Sequence, residues 1–271
     1  MKHLTKTIIA TSLLAFAVQS YAIVSPSADL TSKNNGNNIN VTPAERAKIE
    51  NVVHQYLLSN PEVLMESLQV LQRKQYEEAE QTVKKTQQIA ATFANALFHQ
   101  PNDPIAGNPQ GKVTVVEFFD YQCPHCVDMA PIMTAIVQKN PDLRVVYKEF
   151  PIRGPMSEFA ARAALAANQQ GKYIPFSHGL LAANQPLTKE LVMQIAKNNG
   201  LDINELNKDM EGKLVKDQLQ ANLKLAQDLK LFGTPALFIG KTNASGNSPI
   251  NYIPGQLDQN QLQNEIDKVG G

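Results

Sequence analysis

Residues 118–130 read FFDYQCPHCVDMA and contain both cysteines of the 271-residue chain, Cys123 and Cys126. This short spacing argues against a structural role, because a disulfide stabilises a fold more when it closes a longer loop. The β-branched and aromatic run KVTVVEFFDY precedes the pair, and Pro124 suits the first position of a helix. The stretch therefore predicts a strand that ends just before Cys123 and a helix that begins at Pro124.

The predicted junction between strand and helix gives Cys123 surroundings that favour a thiolate. Free backbone N–H groups and the positive end of the helix dipole face the residue at this position. His125 can add a positive charge or a hydrogen bond, and Cys126 follows one turn later, within reach of the first sulfur. We interpret Cys123 as a nucleophile and Cys126 as its resolving partner.

Other uses of the pair fit the sequence less well. A c-type haem site needs histidine directly after the second cysteine, where Val127 stands. A structural zinc site needs four ligands, and the sequence has no second CxxC and no HxxxH. An inert short-loop disulfide does not explain the position at the start of a helix. A Cu(I) site formed by the two thiolates remains open.

The segments after the pair predict an α/β fold. LRVVYKEF, residues 143–150, is a second strand, so strand, helix and strand form a parallel unit with a right-handed crossover. About 75 residues with helical apolar stripes follow. ALFIG, residues 236–240, and INYI, residues 250–253, then predict an antiparallel hairpin, and a short helix follows it.

The first residues indicate export. Lys2 and Lys6 give the chain a positive start, and the apolar core TIIATSLLAFAV, residues 7–18, follows them. Ser20 and Ala22 supply the small residues of a cleavage site. We predict a signal peptide over residues 1–22, cleaved after Ala22, because the apolar run is shorter than the ~20 residues of a membrane span. Residues 23–41, rich in Asn and Ser, predict a flexible leader. The 25 basic and 25 acidic residues of the chain argue against a nucleic-acid partner.

Residues 42–102 predict a helical region. Thr42, Pro43 and Glu45 form a capping box, and an apolar stripe at helical spacing follows. A longer helix after Pro61 carries apolar residues at a seven-residue spacing, namely Tyr76, Val83, Ala90 and Leu97. This spacing is typical of a seam between helices of separate copies, so we predict homodimerisation through residues 42–100, with a trimer as the open alternative. Alternatively, the stripe packs on the chain's own catalytic domain.

Together, CPHC after VEFFDY, the long helical insertion and Thr234-Pro235 before a further strand resemble the DsbA-type oxidoreductases of the thioredoxin superfamily. The resemblance covers residues 103–271, with the insertion at about 153–232. It implies a thioredoxin fold with a large helical insertion, here preceded by the helical dimerisation region. It also implies that Pro235 is a cis-proline beside the active-site sulfurs, with Thr234 before it.

The resemblance suggests a proton-transfer role for Glu117 and Lys148, which lie in neighbouring predicted strands. Relatives hold an acidic residue and a lysine beneath their disulfide, where these groups help to move protons. Alternatively, both side chains point to solvent.

The expected function is thiol–disulfide exchange in the periplasm, with oxidation and also isomerisation of disulfides in exported proteins. The Cys123–Cys126 pair would carry the redox equivalents without a bound cofactor or metal. By resemblance, the partners are unfolded or misfolded exported proteins, a DsbB-like membrane oxidase and a DsbD-like reductase. The rival hypothesis is a binding protein that captures Cu(I) with the cysteines, or holds client proteins, as in longer DsbA-like relatives of the ScsC kind.

Overall fold

A computed structural model of the protein describes residues 41–270. The predicted signal peptide, 1–22, and the predicted leader up to residue 40 lie outside the described residues. The described chain divides after Val63 into two compact units. Among its helices, none combines the length and the apolar content that crossing a membrane requires.

The first unit contains α1, Pro43–Ser59. The predicted capping box is confirmed, because the Thr42 hydroxyl accepts a hydrogen bond from the Glu45 backbone N–H and the Glu45 carboxylate accepts one from the Thr42 backbone N–H. None of the residues of α1 is buried. Its apolar stripe, which includes Val52 and Tyr56, is about half exposed or more. Capping therefore fixes where this helix starts, while the described residues of its unit do not bury its apolar face.

The second unit is built on a five-stranded sheet with the order β1-β3-β2-β4-β5. The strands are β1, Ile105–Gly107; β2, Val113–Phe119; β3, Leu143–Glu149; β4, Ala236–Lys241; and β5, Ile250–Pro254. β2 and β3 are parallel and β4 and β5 are antiparallel, which confirms the predicted crossover unit and hairpin. The three-residue edge strand β1 pairs antiparallel with β3 and was not predicted.

The helices of this unit cover both faces of the sheet. They are α2, Glu62–Ile89; α3, Ala94–Phe98; α4, Pro124–Lys139; α5, Pro155–Gln169; α6, Tyr173–Leu181; α7, Lys189–Asn198; α8, Ile203–Met210; α9, Lys213–Asp228; and α10, Gln259–Gly270. A single 3₁₀ turn, Ala90–Phe93, joins α2 to α3. Helices α5 to α9 lie between β3 and β4, where the sequence predicts the helical insertion. The architecture is a thioredoxin fold with many added helices.

The first face of the sheet carries the larger core. Val115 and Val145 of the central strands pack with Met129 and Ile136 of α4 and with Leu262 of α10. Helices α5 to α8 extend the same cluster of buried side chains. The cysteine pair belongs to this face.

The second face of the sheet is covered by α9 and by residues 90–98. Leu97 and Phe98 are fully buried there against Val116 and Phe238. The close approach depends on Gly240 of β4, because a Cβ at this position would lie 3.1 Å from the Phe98 ring. The domain boundary predicted at residue 103 therefore falls inside the packed unit, since residues 90–98 supply part of its core.

Candidate active site

Cys123 lies where β2 ends and α4 begins. It is the N-cap residue of α4, and Pro124 occupies the first helical position. The Cys126 and Val127 backbone N–H groups donate to the Cys123 carbonyl oxygen at 3.0 Å, which closes the first turn. Both cysteines are free thiols and both are buried, with at most 1% of either residue exposed. Two thiols on one helical turn, with no other cysteine in the chain, form a self-contained redox pair.

The first turn of α4 determines the acidity of Cys123. Burial raises the pKa of the Cys123 thiol, but hydrogen bonds outweigh it and the net effect lowers the pKa. The donors are the side chain of Thr234, the backbone N–H groups of Cys126 and His125, and the Cys126 thiol. Free N–H groups at a helix terminus favour a nearby anion, which is the predicted environment of this residue.

The pKa values of the two cysteines are shifted in opposite directions. Burial raises the pKa of Cys126 far above its usual value, and the charge of nearby Glu117 raises it further. Cys126 therefore remains a thiol under conditions in which Cys123 is a thiolate, and the Cys126 thiol can donate a hydrogen bond to its partner. This asymmetry distinguishes an attacking sulfur from a resolving one.

Thr234 and Pro235 lie directly beside the pair. The peptide bond between them is cis, and the Cys123 thiol donates to the Thr234 carbonyl oxygen at 3.2 Å. The Thr234 hydroxyl oxygen is buried and has no hydrogen-bond partner in the described part of the chain while Cys123 is a thiol. Since a hydroxyl can donate to an anion, it lowers the pKa of Cys123 once the thiolate forms.

The His125 ring is exposed, and its Nδ1 atom lies 3.2 Å from Gln256 Oε1, on the loop that leads to α10. The backbone N–H of His125 is one of the groups that stabilise the Cys123 thiolate.

The prediction that Glu117 and Lys148 both lie beneath the cysteines is wrong for Lys148. Side chains alternate between the faces of a strand, and Glu117 of β2 is in register with Tyr147 rather than with Lys148. Glu117 therefore shares the face of the cysteines, whereas Lys148 lies on the second face. There the Lys148 ammonium group forms a buried ion pair with Asp103 at 2.5 Å and donates to the Ala96 carbonyl oxygen at 2.8 Å. Neither Glu117 nor Lys148 points to solvent, since both are buried.

Glu117 is a buried acid beneath the resolving cysteine. Burial raises the pKa of Glu117 to about 8, so the carboxyl group is largely neutral at pH 7. No described residue forms a hydrogen bond or an ion pair with it. An acid that is neutral near pH 7 and electrostatically coupled to Cys126 can exchange a proton with the sulfur.

A second buried acid on the same face was missed by the sequence analysis. Glu149 Oε1 accepts hydrogen bonds from the hydroxyl groups of Tyr121 at 2.8 Å and Tyr173 at 2.7 Å. Burial raises the pKa of Glu149 to about 8 despite these two donors. The Ser177 hydroxyl donates to the Tyr121 hydroxyl oxygen, at an O–O distance of 3.1 Å. The network ties the residues before Cys123 to α6, and the tyrosines that complete it lie 52 positions apart in the sequence.

Asp120 holds the turn before Cys123 in place. Its carboxylate accepts hydrogen bonds from the backbone N–H groups of Gln122, Ile152 and Arg153 and from the Ser157 hydroxyl, at distances of 2.7 to 2.9 Å. An Asp directly after a strand is a usual turn former, so the DYQC sequence did contain this signal. The active-site turn is thereby attached to the loop after β3.

The acidity of Cys123 leads to a first prediction. In the reduced protein, thiolate absorbance in the ultraviolet should titrate in one step well below the pKa of free cysteine, and Cys123→Ser should lack this step. Thr234→Val removes the hydroxyl donor with little change in shape and should move the step to higher pH. A Cys123 step at the position of free cysteine would contradict the assignment.

The same shift links acidity to stability. Because folding lowers the pKa of Cys123, the thiolate contributes stability fully above the pKa of the unfolded thiol. This contribution is lost as the pH falls through the folded pKa. Cys123→Ser removes it from the reduced protein.

Two protein families match different parts of the chain. The DSBA-like thioredoxin domain matches residues 114–267, and the copper resistance protein ScsC N-terminal domain matches residues 45–78. The chain is 32% identical to BcfH of Salmonella enterica Typhimurium, whose crystal structure aligns over 84% of this chain and 97% of that chain with a TM-score of 0.61. It is 41% identical to a thioredoxin-like oxidoreductase from Silicibacter pomeroyi DSS-3, over 64% of this chain and 95% of that chain, with a TM-score of 0.59.

Curated relatives match about half of the chain or somewhat more. The chain is 25% identical over 158 residues to a probable disulfide bond formation protein D of Bacillus anthracis, covering 54% of this chain and 73% of that protein. It also matches several Na⁺/H⁺ antiporters of the NhaA kind, but spans only 21% to 28% of their length.

Proposed function

We propose that the chain, which belongs to the family of DSBA-like thioredoxin domains, is a thiol–disulfide oxidoreductase of the DsbA and ScsC kind. It acts in the periplasm on exported proteins, as an oxidase and also as an isomerase. The buried Cys123 sulfur at the start of α4, surrounded by donors that stabilise its thiolate, carries the proposal. The predicted signal peptide supports the location. Members of the family use a redox-active disulfide and no external cofactor.

In the oxidising direction, a client thiolate attacks the Cys123 sulfur of the Cys123–Cys126 disulfide. A bond forms between the client sulfur and Cys123, the bond between the cysteines breaks, and the electron pair leaves on Cys126. A second client thiolate then attacks the client sulfur of this mixed disulfide and releases the Cys123 thiolate. The client gains a disulfide and the protein gains two electrons, as two reduced cysteines. Stabilisation of the Cys123 thiolate favours this direction. A DsbB-like membrane oxidase would restore the disulfide.

We assign Glu117 the role of proton donor to Cys126. The departing Cys126 thiolate has a strongly raised pKa, and Glu117 is the acid whose charge acts on it. Glu117→Gln should slow exchange several-fold and should remove from the pH–rate profile a titration near pH 8. Glu190→Gln, an exposed acid on α7, serves as the control. A Glu117→Gln profile that keeps the titration would contradict the role.

In isomerisation, the reduced protein attacks a wrong client disulfide and must hold the client while its cysteines exchange partners. We propose that the exposed helical part of residues 42–100, before the buried segment 90–98, pairs two copies and so places two sites near one client. The apolar side chains of α1 and of the first turns of α2 support this, because they are about half exposed or more in one copy; they include Ile49, Val52, Tyr56, Leu64, Leu68 and Leu71. An apolar helix face of this size needs a partner in water.

Substitutions on the exposed stripe test the pairing in the full-length protein. Leu64→Gln with Leu68→Gln should convert a dimer to monomers in sedimentation and should reduce refolding of scrambled-disulfide clients several-fold. Oxidation of a reduced unfolded client should change little, because each site alone completes it. Gln69→Ser with Gln72→Ser, polar and exposed on the same helix, is the control. A monomeric wild-type protein, or an assembly unchanged by the leucine substitutions, would refute the pairing. As an isomerase, the protein would need its cysteines kept reduced, and a reductase of the DsbD kind would do this.

A copper-handling role is the second candidate, since the family that matches residues 45–78 is described by copper resistance. The two thiols can hold soft Cu(I). Within the described residues, no three His, Cys, Asp or Glu side chains come together as a metal site. One equivalent of Cu(I) bound in competition with a chelator, with no turnover of reduced clients, would favour this candidate. Turnover without metal favours the oxidoreductase.

A further inference from the structure

A groove of about 470 Å³ lies between α2 and the loop that ends at Pro235. Tyr76, Ala79 and Val83 of α2 line one wall. Phe232 and Thr234 line the opposite wall, so the groove runs beside the residue that contacts the Cys123 sulfur. α2 precedes the thioredoxin sheet in sequence and is not one of the elements that hold the cysteines.

The α2 wall belongs to the stripe with seven-residue spacing. Further along this stripe, Ala90 and Leu97 are fully buried on the sheet of the same chain. Their burial anchors the C-terminal end of α2, and two hydrogen bonds of Gln87 to the backbone of β5 strengthen this anchor. The N-terminal members of the stripe, Tyr76 and Val83, consequently face the groove.

Two aromatic side chains on opposite walls remain largely exposed. Tyr76 of α2 is 65% exposed and Phe232 is 58% exposed. The rim carries one acidic residue, Glu80, and one basic residue, Lys84. A groove with apolar walls and balanced rim charges favours an apolar occupant over a charged one.

The loop wall also offers free main-chain groups. Within the described chain, the backbone N–H groups of Phe232, Gly233 and Thr234 donate to no acceptor. An extended peptide that runs along the loop can satisfy such donors with its carbonyl oxygens. A helix of a second copy cannot, because its carbonyl groups are bonded within the helix.

We propose that α2 forms the second wall of the client site: an extended segment of an unfolded polypeptide lies along the groove, with its cysteine at Cys123 and a neighbouring apolar side chain between Tyr76 and Phe232. The inference rests on the proposed oxidoreductase function and adds a specificity determinant from outside the thioredoxin fold. Clients whose cysteine lies beside an apolar residue are then preferred. Such residues are exposed in unfolded chains and buried in folded ones.

Two peptides with one cysteine each test the proposal, one with Leu beside the cysteine and one with Ser. The measured quantity is the second-order rate constant with which each peptide reduces the oxidised protein. The full-length wild-type protein should prefer the Leu peptide by roughly tenfold. Tyr76→Ser should abolish this preference by slowing the Leu peptide alone. Gln75→Ser, next to it and outside the groove, should keep the preference.

Reduced glutathione distinguishes a failure of the proposed oxidoreductase function from a failure of the role proposed for α2. Glutathione is too small to reach the α2 wall while its sulfur is at Cys123. It should therefore reduce the oxidised Tyr76→Ser protein as fast as it reduces the wild type. If glutathione does not reduce the wild-type protein at all, the proposed function fails. If it does, and Tyr76→Ser retains the preference for Leu, the inference is overturned. A change of the sedimentation coefficient in Tyr76→Ser would assign the groove to a second copy and would also overturn the inference.

Discussion

Replacement of Cys123 by serine is expected to bring disulfide exchange with a reduced, unfolded client down to the uncatalysed rate. The chain has no other sulfur with a stabilised thiolate, because burial raises the pKa of Cys126. A serine hydroxyl at the start of α4 accepts the same backbone hydrogen bonds but cannot form a disulfide. Catalysed oxidation of an unfolded client, followed by loss of free thiol, is the measurement.

Two further variants define the mechanism. Cys126→Ser keeps the attacking thiolate but removes the resolving thiol, so it should accumulate a mixed disulfide with the client. Val127→Ser, 37% exposed and next to the pair, should retain wild-type activity and controls for damage to the helix. Catalysis that persists in Cys123→Ser would refute the assignment of the nucleophile.

The largest effect on stability is expected at the ion pair between Lys148 and Asp103. Both side chains are at most 2% exposed. Burial penalises both charges, since it lowers the pKa of Lys148 and raises that of Asp103. Asp103→Leu leaves a buried ammonium group without its partner and should lower the free energy of unfolding by about 3–5 kcal/mol. Urea unfolding of the oxidised protein measures this change.

A double variant separates the charge from the packing. Lys148→Met with Asp103→Leu removes both charges and should restore most of the lost stability, because a buried ion pair contributes little more than well-packed apolar residues do. The exposed pair of Lys112 and Asp142 is the control, and Asp142→Asn should leave the unfolding midpoint unchanged. A double variant as unstable as Asp103→Leu alone would show that shape, rather than charge balance, determines stability here.

The lysine of this ion pair also helps to attach α3 to the sheet. Lys148 and Arg144 of β3 donate to the carbonyl oxygens of Ala96 and Phe98, at the end of α3. A cation near the C-terminal carbonyl groups of a helix stabilises it, because these groups carry partial negative charge. This attachment helps to fix the C-terminal end of α2, and Tyr76 and Val83 of α2 line the groove in which we propose that the client lies.

Local patterns were sufficient to predict the elements around the cysteines. The VEFFDY strand, Pro124 at the start of a helix and the separate hairpin all follow from spacing and turn chemistry within about fifteen residues. The edge strand β1 could not be predicted in this way. It has three residues and ends at Gly107, whose positive φ of 74° turns the chain out of the sheet.

Two expectations depended on distant partners, which a single sequence does not specify. A seven-residue apolar spacing suits a seam between two copies and equally suits packing on a sheet, and burial of Ala90 and Leu97 shows that the second applies at the end of the stripe. The placement of Lys148 beneath the cysteines, together with Glu117, was wrong because the strand register, which decides the face of each side chain, was unknown. Glu149 was missed since one of the tyrosines that hold it, Tyr121, lies in the turn after β2, whereas the other, Tyr173, lies in α6.

The equilibrium between the Cys123–Cys126 disulfide and glutathione tests the central claim most directly. A protein whose cysteine thiolate is stabilised in the reduced form should pass its disulfide to glutathione. We therefore predict a single two-electron transition between disulfide and dithiol, at a potential more oxidising than that of glutathione. Cysteines that stay in one redox state across the whole range of glutathione buffers, as an inert disulfide or as unreactive thiols, would contradict the account.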